Sequence, residues 1–189
     1  MIEIEEIFWH GPFSWPGYEK YNQLNSMPNM EGVYLWTFKY KDGYVLYSAG
    51  ITNSTIKRFR EHTRNYKNGE YNVIDVEAAE RGERVEIWHG WQYAKMHREE
   101  FIKMKERILD AVEKQLMAFR IFIAEICDKR KRERIEAALM LNIYKSQEPW
   151  AELADKGMFL KKRYNSEIPI RIKNICYNKI YGLPEILEI

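Results

Sequence analysis

Arg58 and His62 set the chemical question, lying four residues apart in Arg58-Phe-Arg-Glu-His62. On a helix that spacing puts a guanidinium and an imidazole on one face. A guanidinium fork matches phosphate oxygens in pairs and stabilises developing negative charge. An imidazole titrates near neutrality, so it can take up or release a proton. A third candidate is Glu136, set in Arg134-Ile-Glu-Ala-Ala-Leu-Met140 beside an apolar helix face. An unpaired carboxylate is costly there, so it either pairs, with Arg132 one turn earlier, or has a chemical task. The plain rivals are a solvated cation for Arg58 and a surface histidine for His62.

Charge placement suggests what such a group would act on. The net charge of +2 decides nothing by itself. Locally, Lys57, Arg58, Arg60, Arg64 and Lys67 face only Glu61 and Glu70 over residues 54–70. Residues 129–134 read Lys129-Arg130-Lys131-Arg132-Glu133-Arg134, and Lys161-Lys162-Arg163 form a third cluster. Such patches fit a polyanion, and nucleic acid is the expected partner; solvated helix ends are the alternative. With 46% apolar and 14% aromatic residues the chain can bury a core and should not be disordered. Its apolar runs are too short for a membrane span, so no membrane partner is expected. The acidic opening Met1–Glu6 does not read as a signal peptide. Cys127 and Cys176 lack metal or disulfide spacing, and a reducing, cytoplasmic setting is expected.

The elements that must carry these groups are partly legible. Gly32–Tyr40 and Tyr44–Ala49 are rich in β-branched and aromatic residues and meet at Asp42-Gly43, which predicts a β-hairpin. Asn53 or Ser54 caps a helix running to about Tyr66. Arg84–Trp91 alternates like a strand, and residues 98–116 have helical period. Ala118–Ile126 reads as a strand, followed by a helix over about 130–146 with Ile135, Leu139 and Ile143 on one face. The aromatic, Pro- and Gly-bearing residues 1–30 predict an irregular arm, with at most a short opening strand. Residues 168–175 are read as either strand or loop.

Four of these stretches, in order, resemble the motifs of the GIY-YIG nuclease family. Gly32-Val33-Tyr34 looks like the first motif and Tyr47-Ser48-Ala49-Gly50 like the second. Arg58-Phe-Arg-Glu-His62 is similar to the family's Arg-x-x-x-His helix, and Arg134-Ile-Glu136 to its metal-binding Glu on a later helix. The resemblance implies an α/β (α+β) fold with a small three-stranded antiparallel sheet flanked by helices. It implies a metal-dependent endonuclease acting on DNA rather than RNA, as a possible homodimer. Tyr34, Tyr47, Arg58, His62 and Glu136 would then be the catalytic set. Tyr34 takes or relays a proton from the attacking water, Arg58 holds the phosphate, and His62 acts as base or orients the phosphate. Glu136 holds one Mg²⁺ or Mn²⁺ ion that keeps most of its shell as water and phosphate oxygens. Lys57, Arg60, Arg64, Lys129, Arg130, Lys131 and Arg132 would grip nucleic acid. Counted back from Arg58, the family spacing points to Ser48, so Tyr47 fills the second-motif place only if a bulge shifts the strand.

The expected organisation is a single domain over 1–189. It comprises an N-terminal arm at 1–30, a core at 31–66 and 117–148, a helical insertion at 67–116 and a C-terminal extension at 149–189. Within the insertion, Trp88 and Trp91 either fill a core or stack on bases. Ser48 leaves a second reading open, a GIY-YIG-like module that binds nucleic acid without cutting it. A protein-interaction domain docking through the N-terminal aromatics is a third.

Overall fold

The hairpin announced by Asp42-Gly43 lies inside a sheet larger than the sequence suggests. A computed structural model of the chain describes residues 4–155 and 161–189. Strands β1 (Ile4–Phe13), β2 (Gly32–Tyr40) and β3 (Gly43–Thr52) precede helix α2 (Thr55–Lys67), with the short helix α1 (Glu19–Asn22) between the first two strands. Then follow β4 (Val73–Ile74), α3 (Val76–Glu80), β5 (Glu86–Trp88), α4 (Trp91–Met96), α5 (Arg98–Lys103) and α6 (Lys105–Ala118). Strand β6 (Arg120–Glu125) and helix α7 (Lys129–Lys145) lead to a 3-10 helix, Pro149–Leu153. The chain closes with β7 (Arg171–Cys176), β8 (Ile180–Tyr181) and β9 (Ile186–Glu188).

The architecture is mixed α/β, as expected, but the sheet has seven strands in the order β8-β3-β2-β6-β1-β7-β9 instead of three. The expected antiparallel trio is present within it as β3-β2-β6. The opening strand allowed within the arm is longer than expected and lies inside the sheet as β1, which pairs antiparallel with β6 and parallel with β7. Gly11 and Pro12 hid its extent, because such residues usually interrupt a ladder. Here glycine is required by proximity: a Cβ at Gly11 would lie 2.5 Å from the Ile121 carbonyl oxygen of β6. The N-terminal arm and the C-terminal extension are therefore strands of one sheet. The residues from 168 that allowed strand or loop resolve into β7.

Helices α2 and α7 carry the candidate site. Ser54 caps α2 by accepting from the Lys57 amide, and Asp128 caps α7 by accepting from the Lys131 amide. On α2, Thr55, Phe59, His62 and Tyr66 turn inward. They pack against an aromatic cluster of Trp15, Trp36 and Phe119, where the Trp15 and Phe59 ring centroids lie 4.8 Å apart and those of Trp36 and His62 4.6 Å. Edge-on contacts of this kind suit the charge distribution of aromatic rings and fix their orientation. Residues 67–116, expected as an insertion, do not stand apart as an appended lobe. Their strands β4 and β5 form a separate two-stranded sheet, and Ile108, Val112 and Leu116 of α6 enter the common core. No helix among the described residues is long and apolar enough to cross a membrane.

Candidate active site

Strand β2 sends Tyr34 and Trp36 to one face by simple alternation. Across the strand pair, Gly50 faces Tyr34 and Ser48 faces Trp36. From α2, Arg58 and His62 reach the same place one helical turn apart, and Glu136 and Met140 do so from α7. These residues line one cavity of about 140 Å³ together with Tyr71, Trp91, Tyr144 and Asp155. Four of the five residues expected to be catalytic thus converge from three elements distant in sequence.

The fifth does not reach the cavity. The pairing shifts between Trp36–Ser48 and Thr37–Leu46, leaving Tyr47 as the extra residue of a β-bulge. The bulge the family spacing required is present, yet it does not deliver the phenol. Tyr47 is fully buried, with its ring centroid 5.6 Å from those of Phe38 and Phe119. Its hydroxyl has no hydrogen-bond partner among the described residues. Ser48 stands on the cavity wall where a second phenol was expected.

Tyr71 supplies a phenol there instead, and nothing in the sequence reading marked it. Tyr34 Oη lies 2.7 Å from His62 Nε2, and His62 Nδ1 lies 3.0 Å from Tyr71 Oη. The direction of this chain follows from its far end. With the Asn65 amide turned so that both its groups are satisfied, its nitrogen donates to Glu70 and to the Glu61 carbonyl, and its oxygen accepts the Tyr71 hydroxyl at 3.0 Å. Tyr71 is then committed as a donor to Asn65, so His62 must donate to it from Nδ1. That leaves Nε2 as the acceptor for the Tyr34 hydroxyl. Arg58 Nε, 3.5 Å away, points at the same Tyr34 oxygen.

Electrostatics agree with this order. Burial, assisted by the Arg58 charge, pushes His62 down to about 3, so the imidazole is neutral at pH 7 and free to accept. Burial also pushes the Tyr34 phenol above its ordinary value, against the opposing pull of Arg58. Tyr34 therefore holds its proton. Glu136 moves the other way from most carboxylates: burial raises it to about 7, only partly offset by Arg58. It makes no hydrogen bond or ion pair within the described residues, because its suspected partner Arg132 bonds instead to Glu31 at 2.8 Å and Asn53 at 2.6 Å.

Asp155 is a second carboxylate on the cavity wall that sequence reasoning missed. Its amide donates to the Tyr47 carbonyl at 2.9 Å, and its carboxylate accepts from Asn72 at 2.6 Å. Burial raises it above the ordinary carboxylate range, against the pull of Asn72 and Arg84. It follows a 3-10 turn, where no periodic pattern draws attention to one acid. No group of three or more His, Cys, Asp or Glu side chains among the described residues is placed to hold a metal. Glu136 nonetheless suits a hard divalent ion, since Mg²⁺ uses one or two carboxylates and keeps water for the rest.

The first two basic clusters differ in character. Lys57, Arg60 and Arg64 are exposed on the outer side of α2 and make no ion pair among the described residues. The run at 129–132 is largely occupied. Arg130 binds Glu167 at 2.6 and 2.9 Å, Lys131 binds Glu5 at 2.7 Å, and Arg132 is buried. Only Lys129 stands well exposed, loosely facing Glu133 at 3.9 Å. This run straps α7 to β1 and to the segment before β7. Of the two tryptophans, Trp88 is core, its indole donating to the Gly69 carbonyl at 2.7 Å, whereas Trp91 is 44% exposed beside the cavity.

No family model, no curated protein and no solved structure matches this chain.

Proposed function

We propose that this chain is a metal-dependent endonuclease of the GIY-YIG type, hydrolysing phosphodiester bonds in DNA. The observation that carries this reading is the meeting of Tyr34, Arg58, His62 and Glu136 at one cavity, from β2, α2 and α7. A half-buried carboxylate without a partner, beside a guanidinium, costs stability unless it has a ligand to bind. Arg58 holds the scissile phosphate and stabilises the charge that develops on its oxygens. As water attacks phosphorus, its proton passes to the Tyr34 oxygen while the Tyr34 proton passes to His62 Nε2. The Nδ1 proton stays directed at the Tyr71 oxygen throughout, so the imidazole accepts without turning. Burial is the main cause that holds His62 down, and a negatively charged phosphate in the cavity offsets the smaller contribution of Arg58, which raises its basicity in part when substrate is bound. A divalent ion bound to Glu136 would supply charge neutralisation and polarise an oxygen of the phosphate. Lys57, Arg60 and Arg64 give the backbone a cationic track leading along α2.

Incubation of the purified protein with supercoiled plasmid and Mg²⁺ or Mn²⁺ tests this, with Glu136→Ala alongside. Nicking or linearisation by the wild type, lost with EDTA and in the variant, is the expected result. One observation favours a second reading: Ser48 stands where the family's second phenol belongs. If the plasmid shifts in a salt-sensitive way and is never cut, the chain is a binding module built on the same scaffold.

A further inference from the structure

Trp91 is an exposed aromatic held in a backbone conformation that L residues rarely adopt. Its φ is +55°, and its amide donates to the Glu70 carbonyl at 2.8 Å. The indole leans on Tyr71, with ring centroids 5.2 Å apart and planes inclined by 34°. Tyr71 in turn meets Tyr66 edge-on at 5.1 Å and binds His62 and Asn65, so the platform is rigid from behind. Tyr71 and Trp91 line two spaces at once: the cavity of the candidate site and an adjoining cleft of about 580 Å³. The cleft adds the amides of Asn68 and Gln92 and two cations, Lys95 and Arg98. Neither cation makes an ion pair among the described residues, although Arg98 donates to the Asn68 carbonyl at 2.8 Å. The one acid in the lining, Glu70, already accepts from Asn65.

We infer that this cleft is a binding site for one unpaired nucleobase, stacked on the outer face of Trp91, next to the phosphate held by Arg58. The inference rests on the nuclease reading for its neighbouring phosphate and deepens it by naming the substrate class. The preferred substrate carries a single-stranded or extruded nucleotide at the cut; a fully paired duplex is disfavoured. A base has a π-face to stack and an edge that donates and accepts, which amides such as Asn68 and Gln92 can meet. Lys95 and Arg98 neutralise the phosphates that flank it. A base held in a duplex is already stacked and cannot use this platform without leaving its partner.

The test is binding in EDTA, so that it does not depend on cleavage. A short labelled single-stranded DNA and its duplex are titrated with the wild type, Trp91→Gly and Trp91→Phe. Glycine accepts a φ of +55° more readily than tryptophan, so Trp91→Gly removes the ring without disturbing the backbone. Single-strand affinity should fall on the order of 10-fold in Trp91→Gly and recover most of that loss in Trp91→Phe, with duplex affinity unchanged. One abasic site, walked along the strand, should reproduce the loss at one position in the wild type and add nothing in Trp91→Gly. Equal losses on single strand and duplex, or no loss on either, overturn the site. Failure to bind DNA of either kind overturns it together with the nuclease reading. Selective single-strand binding without any metal-dependent cleavage upholds the site and removes only the nuclease reading.

Discussion

Gly50 faces Tyr34 across the strand pair, and the space left by its missing side chain is where the Tyr34 phenol lies. A Cβ built on Gly50 would sit 2.2 Å from Tyr34 Oη. The glycine is therefore part of the site without carrying a functional group. Gly50→Ala should displace the phenol from His62 and cut the cleavage rate by about 100-fold, a loss of the size expected for a misplaced proton-transfer group. Melting measured alongside should show a loss of roughly 1–3 kcal/mol, as for a modest overpacking. An alanine variant with unchanged turnover would remove Tyr34 from the reaction.

The hydroxyl of Tyr34 is the part that matters for the relay. Tyr34→Phe keeps the ring among Trp36, Phe59 and His62 but leaves Nε2 without its donor. Turnover should fall by about 100-fold or more, with single-turnover kinetics showing the loss in the chemical step. Tyr47→Phe is the matched control. Its hydroxyl lies outside the cavity, close to the Arg84 guanidinium but without a well-formed hydrogen bond, so cleavage should stay within about twofold and stability should change by less than about 1 kcal/mol. A collapse of activity in Tyr47→Phe would show that the second motif acts where the bulge does not place it.

Glu136 makes stability and activity respond to pH in opposite senses. Its folded value near 7 lies above the ordinary carboxylate value of 4.5, so the folded state binds more protons between these limits. Stability from this group is present below about pH 4.5 and is lost as pH rises through 7. Glu136→Gln should therefore melt at the same temperature as the wild type in acid and above it at about pH 8. A gain on the order of 2 kcal/mol is expected there. Cleavage needs the carboxylate charged and Mg²⁺ competes with the proton for it, so wild-type activity should rise with pH and its midpoint should move to lower pH as Mg²⁺ is raised. A Glu136→Gln variant no more stable than wild type in that alkaline range would mean that the carboxylate has a partner in solution.

His62 works in the other direction. Its folded value, about 3, lies below the ordinary 6.5, so the unfolded chain binds the extra proton in that window. Stability from the neutral imidazole is present above about pH 6.5 and is lost as pH falls toward 3. Urea midpoints measured from about pH 7 to about pH 4 should drop more steeply in the wild type than in His62→Gln. Parallel slopes would place His62 in contact with solvent.

What the sequence disclosed and what it withheld follow from the range of each signal. The β2–β3 hairpin, α2 with Ser54 at its cap, and the shared face of Arg58 and His62 were legible because turn chemistry and helical period act over a few residues. Glu136 was legible because a charge in an apolar stretch is conspicuous. The full length and sheet position of strand β1 were not, since Gly11 and Pro12 mimic a loop while in fact Gly11 permits close approach to β6. Tyr71 and Asp155 were missed because each follows an irregular segment and gains its meaning only from partners far along the chain. The partners of the basic run at 129–132 were hidden for a similar reason. Its composition suggests a free patch, but Glu5, Glu31 and Glu167 come from distant segments to meet it.

The parallel pairing of β1 with β7 has a consequence for how the protein is made. Residues 4–9 leave the ribosome well before their partners, residues 171–176. Until those are synthesised, one flank of β1 is an unpaired edge carrying Ile4 and Phe8, both more than half exposed even in the finished fold. The join links the two extremes of the described chain, which slows folding and prolongs the life of a sticky intermediate. Losing the last strands would therefore strand an edge beside the β6 that frames the site, and chaperone demand during synthesis should be high.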